Sequence, residues 1–142
     1  TIDQNNIDAG HVTGIVTAKT FVGDLSDAVT GRWTLGADST SHYTFTGPGG
    51  LSAATDPTIY LARGQTYEFD NQSGGNHPFR IQTSSGASGY NSGNQYTTGI
   101  TNPGASTGVI KFAVPFSAPN TLYYVCENHS NMNGTIIIYP ST

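Results

Sequence analysis

A chain of 142 residues, 35% hydrophobic and 10% charged, is long enough to bury a core and suits one domain plus a short extension. Five basic residues against nine acidic ones, a net charge of -4, exclude the basic footprint that nucleic-acid binding requires and give no attraction to anionic membranes. No apolar run approaches the ~18 residues of a bilayer span. With 18 glycines and seven prolines, no stretch offers three clean turns of helical periodicity, so short strands joined by polar turns are expected.

Residues 1–40 are polar, with short apolar alternations from Val12 to Val16 and from Phe21 to Leu25. Val-Thr-Gly occurs at 12–14 and again at 29–31, a weak sign of an internal repeat. This part reads as an extended leader or shaft-like segment, and residues 41–142 as the folded domain. The first residue is Thr1, which reads as a processed product or a piece of a longer chain, and no secretory leader is visible. From Ser41 the pattern changes. His42–Phe45 alternates and is followed by a Gly-Pro-Gly-Gly turn. Thr58–Leu61 and Thr66–Phe69 read as two strands around Arg63-Gly64. Pro78–Gln82 is a strand after a Gly-rich loop. Residues 83–108 are nearly all Ser, Gly, Asn, Thr and Tyr, too long for a structureless connection, so a short strand or a functional loop is expected there. Gly108–Pro115, Leu122–Cys126 and Asn133–Pro140 complete about seven strands, the pattern of an all-β sandwich.

The single cysteine forms no internal disulfide. On its own it would read as a small core residue, and Met132 as core filler. Their neighbours change that reading. Cys126-Glu-Asn-His129-Ser-Asn-Met132 offers a thiolate, an imidazole and a thioether within one loop between two strands. Soft sulfur with imidazole selects copper, above all as one Cys, two His and a weak axial Met. His77 sits at another strand end and supplies the second imidazole if both loops share a pole of the sandwich. His11 and His42 have no such partners.

The run Leu122–Ile138 resembles the C-terminal ligand loop of the cupredoxins, the plastocyanin, amicyanin and halocyanin group, whose pattern is C-x(2)-H-x(n)-M between the last two strands. The two-residue gap between His129 and Met132 is similar to the short, amicyanin-like loop. Asn76–Phe79 resembles the upstream ligand histidine, and Pro57–Asn71 the strand pair before it; the likeness covers about residues 41–140. It implies a Greek-key β-sandwich and one type 1 copper used in one-electron transfer. It also implies His77 and His129 as nitrogen ligands, Cys126 as the thiolate and Met132 as the axial sulfur. Two positions depart from the pattern. Pro78 stands where many relatives have Asn, and it has no N–H to give, so Asn76 is the candidate substitute. Asn128 stands where many have Pro. A looser resemblance links residues 10–31 to low-charge repeats of tail-fibre and other structural proteins of bacteriophages, particularly those of marine cyanobacteria.

No carboxylate spacing suggests an acid–base pair, no serine sits in a nucleophile elbow, and the glycine-rich turns lack a phosphate-binding lysine. Three N-x-S/T sequons, at Asn71, Asn128 and Asn133, read as products of an Asn- and Thr-rich composition. The expected function is a mononuclear type 1 copper domain capable of one-electron transfer, not an enzyme, displayed on a larger extracellular or virion assembly. The expected location is extracellular, periplasmic or virion-associated. The alternative is a structural or adhesive module of a tail fibre or other filament, with copper as a staple or absent. A copper oxidase or nitrite reductase needs further His pairs, and only His11 and His42 are spare. The redox partner is unspecified; self-association is expected through the N-terminal segment, and no nucleic-acid partner is expected.

Overall fold

The computed structural model describes residues 28–142. Ten strands follow in order: β1 (Gly31–Asp38), β2 (His42–Gly47), β3 (Leu51–Thr55), β4 (Ile59–Ala62), β5 (Thr66–Asn71), β6 (Phe79–Gln82), β7 (Ile100–Thr101), β8 (Gly108–Ala113), β9 (Thr121–Cys126) and β10 (Asn133–Tyr139). They form a four-stranded sheet in the order β4-β10-β9-β6 and a six-stranded sheet in the order β3-β2-β1-β5-β8-β7. The β1–β5 and β4–β10 pairs are parallel and the others antiparallel. The two packed sheets are the β-sandwich that the strand pattern predicts, and neighbours distant in sequence mark the Greek-key, cupredoxin-like connectivity that the family resemblance implies.

Strand alternation makes the core. In β5, Tyr67, Phe69 and Asn71 point inward while Thr66, Glu68 and Asp70 do not. Phe45, Phe69, Ile110 and Phe112 of the larger sheet meet Phe79, Leu122, Tyr124 and Ile136 of the smaller one, all at most 1% exposed. Burying each such side chain contributes roughly 1.5–3 kcal/mol, so these residues dominate the stability of the sandwich. The rings interlock at close range: Phe79 stacks on Tyr124 at 5.5 Å and on Phe69 at 5.3 Å between centroids. Gly134 pairs with Tyr124 across the β9–β10 ladder, and a Cβ there would collide with the tyrosine ring.

The sandwich begins by Gly31, inside the range the composition assigned to the leader. Residues 31–38 form β1, hydrogen-bonded between β2 and β5 within the larger sheet. Only Trp33 and Leu35 carry its large apolar contact, too few for a periodicity to stand out in a polar stretch. The second Val-Thr-Gly leads into this strand, with the Thr30 N–H donating to the Thr66 carbonyl at 2.7 Å. The first Val-Thr-Gly, both apolar alternations and His11 lie outside the described residues. Between 83 and 108 the chain makes two 3-10 turns, Gly86–Ser88 and Ser92–Asn94, and the expected short strand, β7. The fully buried Gln82 organises it, donating to the carbonyls of Ser84, Ser85 and Gly89 and accepting from the Asn91 N–H. Among the described residues no helix is long and apolar enough to cross a membrane.

Candidate metal centre

β9 runs antiparallel to β6, with Cys126 opposite Phe79, so the end of one strand and the start of the other share a pole. His77 lies two residues before β6. Glu127–Met132 forms the β9–β10 hairpin loop, closed where the Cys126 N–H donates to the Met132 carbonyl at 2.8 Å. Inside it, the Met132 N–H donates to the His129 carbonyl at 3.1 Å. The hairpin and the 72–78 loop therefore face each other, as the sequence requires for one shared site.

The side chains converge. His77 Nδ1 and His129 Nδ1 lie 3.2 Å apart, and Cys126 Sγ lies 3.7 Å from the first and 3.5 Å from the second. The centre of a triangle with these sides is about 2 Å from each corner, the bonding range of imidazole and thiolate to a late first-row divalent ion. Among the described residues these three are the group of His, Cys, Asp and Glu side chains that could hold a metal ion. Cys126 is fully buried, His77 is 7% exposed and His129 is half-buried at the surface of the pole. Burial, and then the neighbouring His129, lower the His77 pKa, which keeps its ring neutral and its lone pair free for a metal. The lone pairs of two ring nitrogens this close repel unless a cation or a proton sits between them. The donor set fits one type 1 copper: a soft thiolate with two imidazoles, closed from solvent on one side. Met132 is fully buried at the end of the same loop.

Buried polar groups that sequence reasoning missed hold His77 from behind. Its carbonyl accepts from Tyr43 Oη at 2.8 Å and from Asn71 Nδ2 at 2.8 Å. The same amide donates to the Ala105 carbonyl at 2.9 Å, and Asn71 Oδ1 accepts from the Ser73 N–H and hydroxyl. Such outer partners fix ligand orientation. Asn71 was visible only as a sequon; it is fully buried and its side chain is committed. Burial, with Cys126 nearby, pushes the Tyr43 hydroxyl far up from its ordinary pKa, so it stays a donor. Of the adjacent Tyr123 and Tyr124, strand alternation buries only Tyr124, whose hydroxyl donates to the Pro57 carbonyl at 2.7 Å.

The two departures from the cupredoxin pattern answer each other. Pro78 offers its carbonyl instead of an N–H and accepts from the Glu127 N–H at 3.0 Å. Asn128 Nδ2 donates to the Asn76 carbonyl at 3.0 Å. Asn76 thus ties the loops through its backbone rather than its side chain. His42 stands apart from the site, its Nδ1 2.6 Å from Asp56 Oδ2.

No protein-family model and no curated protein matches the chain. Among solved structures it is similar to rusticyanin from Thiobacillus ferrooxidans, at 19% identity over 76% of this chain and 75% of that one, TM-score 0.46. It is similar to reduced rusticyanin at 17% identity over 76% and 77%, TM-score 0.47. A multi-copper oxidase from Pseudomonas thermotolerans is similar at 16% identity over 81% of this chain and 30% of that one, TM-score 0.41.

Proposed function

We propose that this chain is a mononuclear type 1 copper domain that carries single electrons. His77, Cys126 and His129 would hold the ion, and Met132, buried at the end of the same loop, would add a weak sulfur donor. The observation that supports this is the closed triangle of one thiolate and two imidazole nitrogens at 3.2–3.7 Å. Copper held there would supply a one-electron change between its +1 and +2 states. The protein's part is to keep the donors in place through that change. The two buried hydrogen bonds on the His77 carbonyl and the Cys126–Met132 backbone pair do so. Full burial of Cys126 keeps water from the sulfur, and the half-buried His129 ring is the route by which electrons enter and leave.

The domain is read as a carrier rather than an enzyme. An oxidase needs further imidazole ligands, and His42 is already engaged with Asp56. We place it in an extracellular or periplasmic setting, displayed on a larger assembly through its N-terminal segment, a reading that rests on the composition of residues 1–40. Copper-loaded protein is expected to show an intense thiolate-to-copper band in the visible, absent in Cys126→Ser. A colourless Cu(II) complex with an ordinary EPR spectrum would overturn the assignment.

A further inference from the structure

The copper reading gives no task to residues 83–104, yet three parts of that segment meet one side chain. Arg80 stands on β6 opposite Val125, the residue before Cys126. Its Nε donates to Glu127 Oε1 at 2.8 Å, and its Nη2 lies 2.8 Å from the same oxygen. Its Nη1 donates to Gln95 Oε1 at 3.3 Å and to the Pro103 carbonyl at 3.4 Å. The guanidinium lies over the Tyr90 ring, 5.2 Å from its centroid. Gly104, at φ +81°, passes so close that a Cβ there would occupy the guanidinium's place. Only a planar fork of five donors reaches all of these at once. Arg80 therefore ties the 83–95 loop and the 101–105 loop to the residue that follows Cys126.

Charge makes this tie more than mechanical. Asn76, Asn128, Ser130 and Asn131 around the site carry none, and Glu127 is the one permanent charge on the Cys126 loop. The Arg80 and Glu127 side chains are 22% and 36% exposed, so water screens the pair only in part. The oxidised and reduced forms of the site differ by one positive charge. A nearby carboxylate favours the oxidised form and a nearby guanidinium the reduced one; paired, the two fields largely cancel.

We propose that Arg80 and Glu127 form a charge-neutral brace that positions the Cys126–His129 loop and sets the redox potential of the site. Both are positioning residues, acting through the loop, and the inference rests on the copper reading above. The test is voltammetry of the copper-loaded full chain at one pH and low ionic strength. Arg80→Gln uncovers the carboxylate and should shift the potential down. Glu127→Gln uncovers the guanidinium and should shift it up. The double variant should return toward the parent, with the visible band kept in all three. A structural role alone would not give opposite signs, so single variants that move together, or not at all, overturn the proposal. Arg80→Lys keeps the charge and loses the fork. It should hold the potential near that of the parent while amide exchange at Glu127–His129 speeds up in the metal-free chain; unchanged exchange would overturn the bracing role. Should Arg80→Gln fail to fold, the upward shift in Glu127→Gln and the Arg80→Lys comparison decide alone. A parent without the visible band defeats the copper reading instead, and the metal-free exchange measurement still decides the bracing role.

Discussion

The two ends of the sandwich secure their loops by opposite means. At the end away from the donor triangle a buried cation does it. Arg63, 7% exposed, donates to the carbonyls of Pro140 at 2.7 Å, Phe116 at 3.2 Å and Ala118, and to the Asn120 amide oxygen at 2.6 Å. Among the described residues no carboxylate pairs with it. At the donor end the buried holders are neutral, the Tyr43 hydroxyl and the Asn71 amide, and the ionic pair of Arg80 and Glu127 stays at the rim. Charged donors make stronger hydrogen bonds. On the proposed reading the site would gain and lose an electron, and a buried unpaired charge beside it would bias one state heavily, because the interior screens poorly. Neutral donors fix the geometry without that bias.

The largest expected effect breaks the comparison at the far end. Arg63→Met leaves three carbonyls without their charged donor and should lower stability by about 3 kcal/mol, read as a lower denaturant midpoint. The visible copper band should not change, since the clamp lies at the other pole; a shifted band would show that the two ends are coupled. Asn71→Ala is the matching cut at the donor end. It removes donors from the His77 and Ala105 carbonyls and should cost about 2–3 kcal/mol. Here copper release to a chelator should accelerate as well. Lost stability with unchanged release would assign Asn71 to the packing of the pole rather than to the ligand.

The same contrast separates what was legible in the sequence from what was not. Cys126 and His129, which the structure brings together, were legible as a pair because one hairpin loop carries them and loop spacing survives in a linear reading; Met132, the expected axial sulfur, is buried at the end of that loop. His77 was legible as a strand-end histidine, and antiparallel pairing of β6 with β9 brings it to the same pole. The seven strands with clear alternation are all present. β1 was not legible, because a strand with Trp33 and Leu35 as its large apolar contacts borrows stability from β2 and β5 on either side. Tyr43, Asn71 and Arg80 were not legible as supports of the site, since their contacts cross 34, six and 47 residues and leave no local spacing. Arg63 looked like a turn residue for the same reason; its partners lie 53–77 residues away.

Two smaller cuts measure how far the donor end relies on buried rather than surface ties. Tyr43→Phe keeps the ring against Phe79 and Tyr124 and removes only the hydroxyl. The His77 carbonyl retains its bond from Asn71, so the loss should be about 1 kcal/mol, with a modest increase in copper release. Asn128→Ala removes the exposed bond to the Asn76 carbonyl. The Glu127 N–H still reaches the Pro78 carbonyl, so the loops stay joined through backbone and the loss should be at most about 0.5 kcal/mol. Amide exchange at Glu127 in the metal-free chain reads the remaining tie directly and should change little. The order Asn71, Tyr43, Asn128 then follows the number of buried or part-buried hydrogen bonds to carbonyls that each cut removes: two, one and none. Were Asn128→Ala to release copper as fast as Asn71→Ala, the site would be held from its surface. The neutral donors behind His77 would then be ordinary core hydrogen bonds.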